Sequence, residues 1–109
     1  MIAEVQKHQK RAEELETLMS EPGTLADPER LRALSKEYDS VKEILNLADR
    51  IEKNTRVTED IEKTLRETND AELRTLGEEE LKELQTTNYR LQTDLRELLH
   101  PADPMDKKN

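Results

Sequence analysis

The chain has 109 residues, a formal charge of −8, 40% charged and 32% apolar residues, and a mean hydropathy of −1.05. Such an acidic surface disfavours nonspecific nucleic-acid binding, which needs clustered Lys and Arg against phosphate. The absence of Cys excludes disulfides, zinc–thiolate sites and thiol nucleophiles.

The low apolar content and the lack of Phe and Trp argue against a thick core. Regular apolar spacing in a chain rich in Ala, Glu, Lys, Leu and Arg is the signature of long helices and coiled coils. A thin leucine seam of roughly 20 residues at about 1.5–3 kcal/mol each would still bury enough to oppose chain entropy. No apolar run is long enough to span a membrane. The start "MIAEVQKHQK" lacks the apolar stretch of a signal peptide.

The spacing predicts a first helix over residues 2 to 20, in which Val5, His8, Ala12, Leu15 and Met19 form an a/d seam. "EPG" at 21 to 23 is expected to end it, with Gly23 in a left-handed turn. The second helix opens at "ADPERL", with Asp27 as cap and Pro28 at the first helical position. Its stripe runs through Leu31, Leu34, Tyr38, Val41, Leu45, Ala48, Ile51, Val57, Thr58, Ile61 and Leu65, so the helix is expected over 28 to 68. At 1.5 Å per residue it would be roughly 60 Å long. The stripe is weakest at "EKNTR" (52 to 56), where a bend or frayed turn is expected.

A third helix is predicted over 71 to 99, capped by Asn69 or Asp70. Gly77 is expected to interrupt it after a short turn carrying Leu73 and Leu76. Leu81, Leu84, Asn88, Leu91, Leu95 and Leu98 then alternate by three and four, with Asn88 a register-setting or partly wet polar residue in the seam.

Short connections make neighbouring helices antiparallel. The fold class is therefore all-α, an elongated antiparallel three-helix coiled-coil-like bundle with one long central helix. The first and third helices should both reach the middle of the second, where Ile44, Leu45, Leu47, Ala48 and Ile51 widen the apolar stripe. Residues 1–99 form the helical domain and 100–109 a linker.

Signals for chemistry are poor. The only glycines are Gly23 and Gly77, so no phosphate loop exists. Ser20, Ser35 and Ser40 lack a nucleophile-elbow context. His8 reads as a seam residue and His100 as a helix C-terminal one. The acidic "GEEE" at 77 to 80 suits a helix start without a metal, and pairs such as Glu59 with Lys63 support exposed faces. No catalytic residue, cofactor or metal is expected. One basic cluster stands out, Arg30, Arg32 and Lys36, with Lys7, Lys10 and Arg11 on the first helix. Its functional reading is contact with RNA or an acidic protein, and its plain reading is a solvated surface.

Two stretches, "TLADPERLRALSKEYDSV" (24 to 41) and "LLHPADPMDKKN" (98 to 109), resemble the bacterial peptide chain release factor 1 family. The first is similar to the start of the long helix in that family's N-terminal domain. The second is similar to its "LLLP-x-DP-x-D-[ED]-[KR]-N" joint before the codon-reading domain.

The resemblance implies a parent that recognises UAA and UAG and promotes peptidyl-tRNA hydrolysis, in the cytoplasm. Its working motifs are a PxT-type tripeptide and a GGQ loop. This chain is expected to carry neither, and it has no Gly-Gly dipeptide. The resemblance implies partners at the ribosomal large-subunit stalk base, rRNA and protein, with the class II release-factor GTPase in the same neighbourhood, and neither membrane nor DNA. It maps no site residue. Arg30, Arg32 and Lys36 are candidates for ribosome contact on charge alone.

A competing reading with the same composition is a free-standing coiled-coil adaptor or chaperone-like protein. The coding sequence beyond Asn109 would separate the two. Self-association through leftover apolar residues such as Ile2, Leu47 and Leu99 is a third expectation.

Overall fold

The computed structural model describes residues 2–101. Among them it is all-α, with four helices: α1 (Ile2–Met19), α2 (Pro22–Leu25), α3 (Pro28–Glu67) and α4 (Ala71–Leu99). The chain divides into two compact units between Asn46 and Leu47, inside α3. The linker residues 102–109 and Met1 lie outside the described residues.

In the first unit, α1 runs antiparallel to the start of α3. Met19 Sδ accepts from Ser35, and Glu16 meets Tyr38. The core is Ala12, Leu15 and Val41, with Leu34, Tyr38 and Leu45 packed against it. Leu15 is fully buried, which contributes about 1.5–3 kcal/mol. Val5, His8 and Met19 are half-buried along the predicted seam.

The connection differs from expectation. Gly23 takes no left-handed turn, since no glycine among the described residues has positive φ. Pro22 instead starts α2, after an extended Glu21 at φ −72°, ψ 137°. Proline fits the first helical turn because its missing N–H has no intrahelical partner there. Pro22-Gly23-Thr24 also corrects another expectation, because it has the letter pattern of a PxT tripeptide. Thr24 is only 3% exposed, so its side chain packs inside and does not face a ligand. Asp27 then caps α3, accepting from Arg30 N at 3.1 Å.

In the second unit, the later part of α3 pairs antiparallel with α4. Gly77 lies against Ile61 and Leu65, and Asn88 reaches Ile51 and Thr55. Within this pair residue numbers facing one another sum to about 140, the relation expected of an antiparallel two-helix seam. Ile51, Leu91 and Leu95 are buried, while Ile61, Leu65, Leu81 and Leu84 are half-buried.

Three expectations are corrected here. Gly77 does not interrupt α4. A Cβ on it would sit 3.0 Å from Leu65 Cδ2, so the Leu65 side chain would have to give way to admit one. α3 does not fray at 52 to 56, where Thr55 Oγ1 donates to the Ile51 carbonyl at 2.8 Å. Val57 is 41% exposed, because the alternating three-and-four steps from Ile51 pass through Asn54, Thr58, Ile61 and Leu65 instead.

The hairpin turn is fixed by polar groups. Asp70 accepts from Glu72 N at 3.0 Å and Leu73 N at 3.3 Å, capping α4. Arg74 Nη1 donates to the Leu65 carbonyl at 2.6 Å, satisfying an end carbonyl of α3 that no helical N–H can reach.

Candidate interaction surfaces

The first surface to consider is the basic cluster on α3. Arg30, Arg32 and Lys36 are all exposed. None of the three side chains has an ion-pair partner among the described residues. At about 100° per residue, Arg32 and Lys36 share one face, opposite the stripe that packs on α1. Arg30 lies about 160° round the helix from Arg32. The structure therefore brings two of the three together. The same outer face also carries the exposed acids Asp39 and Glu43, so the positive charge there is local.

Arg11, grouped with this charge in the sequence, is engaged elsewhere. Its Nε donates to Glu37 Oε2 at 2.6 Å, its Nη2 to Glu37 Oε1 at 2.9 Å, and its Nη1 to Glu14 at 3.1 Å. This planar fork ties α1 to α3. The hydrogen bonds from Arg11 hold the Glu37 carboxyl below its ordinary range, and the same bonds keep the guanidinium charged. Nearby, Tyr38 Oη donates to Glu16 Oε1 at 2.9 Å. That bond first, then burial, raises the phenol's pKa above its ordinary value.

The second surface is a cleft of about 260 Å³ in the second unit, lined by Thr55, Thr58, Gln85, Asn88, Tyr89 and Gln92. Asn88 Nδ2 donates to Thr55 Oγ1 at 3.2 Å and to the Ile51 carbonyl at 3.4 Å. Its Oδ1 is buried with no hydrogen-bond partner among the described residues. Tyr89 stands 69% exposed at the rim. The spacing identified Asn88 and Thr58 as stripe residues, but the other lining residues carried no signal. Thr55, Gln85 and Gln92 become a cleft only once the helices are paired.

The remaining polar candidates have structural partners. His8 Nδ1 donates to the Glu4 carbonyl at 2.8 Å. Ser20 and Ser40 donate to helix carbonyls, and Ser35 to Met19 Sδ. The exposed-face pairs that form include Asp49 with Lys53 and Glu52 with Arg56. The expected pair Glu59 with Lys63 does not close among the described residues. No helix among these residues is long and apolar enough to cross a membrane.

Comparisons with known proteins complete the picture. The family model described as the PCRF domain matches residues 8–109. Peptide chain release factor 1 of Chlorobaculum tepidum is 34% identical over 109 residues, which is 100% of this chain. The chain spans about 30% of that relative's length. No solved structure matches the chain.

Proposed function

The chain belongs to the PCRF domain family, and we propose that it is the ribosome-docking helical module of a translation termination factor. The parent would recognise UAA and UAG and promote peptidyl-tRNA hydrolysis in the cytoplasm, through motifs outside this domain. The observation that carries this reading is similarity along the whole chain to a protein named peptide chain release factor 1.

The module acts by contact and has no active site of its own. In support, its three serine hydroxyls donate to helix carbonyls or to a thioether, leaving none beside a general base. His8 holds a carbonyl in the same way. The partners are the large-subunit stalk base, rRNA and protein, with the class II release-factor GTPase nearby.

Arg32 and Lys36 approach phosphates from the outer face of α3, with Arg30 at its flank. The test is the triple variant Arg30→Glu, Arg32→Glu, Lys36→Glu in the full-length factor, with ribosome binding measured across salt concentrations. Each lost phosphate contact lowers the slope of log affinity against log salt by about 0.7–0.9, so a fall of about 2 is expected. Unchanged affinity with an unchanged slope overturns this contact.

A further inference from the structure

The α3–α4 hairpin segregates its side chains by flank. At about 100° per residue, and with antiparallel helices meeting like flank to like flank, Thr55, Gln85, Tyr89 and Gln92 fall on one side of the seam. Those residues do share one cleft, which confirms the placement. By the same geometry Val57, Leu73 and Leu76 fall on the opposite flank. They are 41%, 42% and 63% exposed.

Charge follows the same division. Asp60, Glu80 and Glu83 project on the side of Val57, Leu73 and Leu76, and all are exposed. None of these carboxylates has a cation partner among the described residues. The cations of this end of the hairpin, Lys63, Arg66, Arg74 and Lys82, turn to the other flank by the same wheel. Arg74 is held there by the Leu65 carbonyl and by Glu78. Toward the hairpin turn this flank is thus apolar and acidic, while the other is mixed in charge; the cations Lys53 and Arg90 lie on the acidic flank only one heptad farther from the turn, Lys53 paired with Asp49.

We propose that this flank docks a basic amphipathic helical segment of another protein. Leucines left open to water favour burial under a partner's apolar stripe. The rim of unpaired carboxylates then favours Lys and Arg beside that stripe and repels phosphate, so a nucleic acid does not fit. A groove that takes an amphipathic helix reads anchors at i, i+3 and i+4, and Leu73 and Leu76 are themselves three apart. The inference goes beyond ribosome docking through α3 and does not depend on it.

The test uses the 109-residue chain and synthetic helical peptides carrying a Leu stripe with Lys on the remaining faces. Control peptides replace Lys by Glu, or Leu by Ser. Binding of the Lys–Leu peptide is expected to weaken at least about tenfold in Leu73→Gln/Leu76→Gln, where apolar burial is lost and net charge is kept. Leu25→Gln, an exposed change in the first unit, leaves it unaltered. Gln is a good helix former, so both variants are expected to keep their helicity, which circular dichroism checks. Equal affinity in the double variant overturns the proposal, as does equal binding of the Glu or the Ser peptide. Binding of single-stranded RNA that the double variant abolishes would also overturn it, in favour of a nucleic-acid face. Self-association that the double variant abolishes would overturn it in favour of a second copy.

Discussion

Replacing Asn88 by Leu should stabilise the chain, and the structure sets the size of the effect. Asn88 sits in the α3–α4 seam with Oδ1 buried and without a hydrogen-bond partner among the described residues. An orphaned buried acceptor costs about 1–3 kcal/mol. Its amide gains little in return. The contact to the Ile51 carbonyl, at 3.4 Å, is longer than a well-formed N–H···O bond. Only the 3.2 Å bond to Thr55 Oγ1 is ordinary. Leu removes the orphan and adds apolar contact, while the Ile51 carbonyl keeps its bond from Thr55. The expected gain is about 1–2 kcal/mol, or about 4–8 °C in Tm for each kcal/mol. Asn88→Asp should move the other way by about 1–3 kcal/mol, because a carboxylate would face the Ile51 carbonyl without a donor. Thermal and urea denaturation followed by circular dichroism measure both. A lower Tm for the Leu variant would refute the reasoning. The order Asp below Asn below Leu is its signature. Sedimentation then shows whether Asn88 was holding register or partner number, the usual return for a polar residue in a helical seam.

Gly77→Val should destabilise by about 1–3 kcal/mol, since branched carbons would enter space already filled by Leu65 and Ile61; urea midpoints measure it, and an unchanged midpoint would contradict the close approach. The Tyr38–Glu16 pair makes a pH prediction. The phenol's pKa is raised by the hydrogen bond to Glu16, so the pair's stabilisation is fully present below the ordinary tyrosine pKa and is lost as pH rises through the elevated one. Ultraviolet titration in a Tyr89→Phe background should show Tyr38 ionising late, and Glu16→Gln should bring it back toward the ordinary value.

The helices were legible because their signals are local. Asp27-Pro28 and Asp70 mark helix starts by capping chemistry, and the structure places caps there. The seam residues Ala12, Leu15, Val41, Ile51, Leu91 and Leu95 repeat at three-and-four spacing, and all are buried. What failed was long-range or ambiguous. Gly23 and Gly77 both read as breaks, because glycine disfavours helix. Pro22 recruits the first into a one-turn helix, and the facing Leu65 makes use of the second. Val57 read as core because it is apolar, yet strict periodicity passes it by. The basic cluster read as one patch because Arg30, Arg32 and Lys36 are close in sequence. Two residues along a helix is nearly the far side, a separation that a linear reading does not display.

The same geometry explains how so polar a chain keeps distinct surfaces. A two-helix seam buries one stripe per helix and leaves two flanks open to water. Where buried positions are few, the composition of those flanks is free to diverge. In the second unit one flank gathers amides, a tyrosine and mixed charge around the cleft. The other keeps exposed leucines among carboxylates. If apolar content were simply too low for folding, the leucines outside the seam would have been conscripted into it. Leu73 and Leu76 are not: they stay 42% and 63% exposed on the flank beside the Gly77 contact. Substituting Gly77 and substituting Leu73 with Leu76 should therefore separate cleanly. The first acts on stability through the helix–helix distance, and the second acts on partner binding with the fold intact.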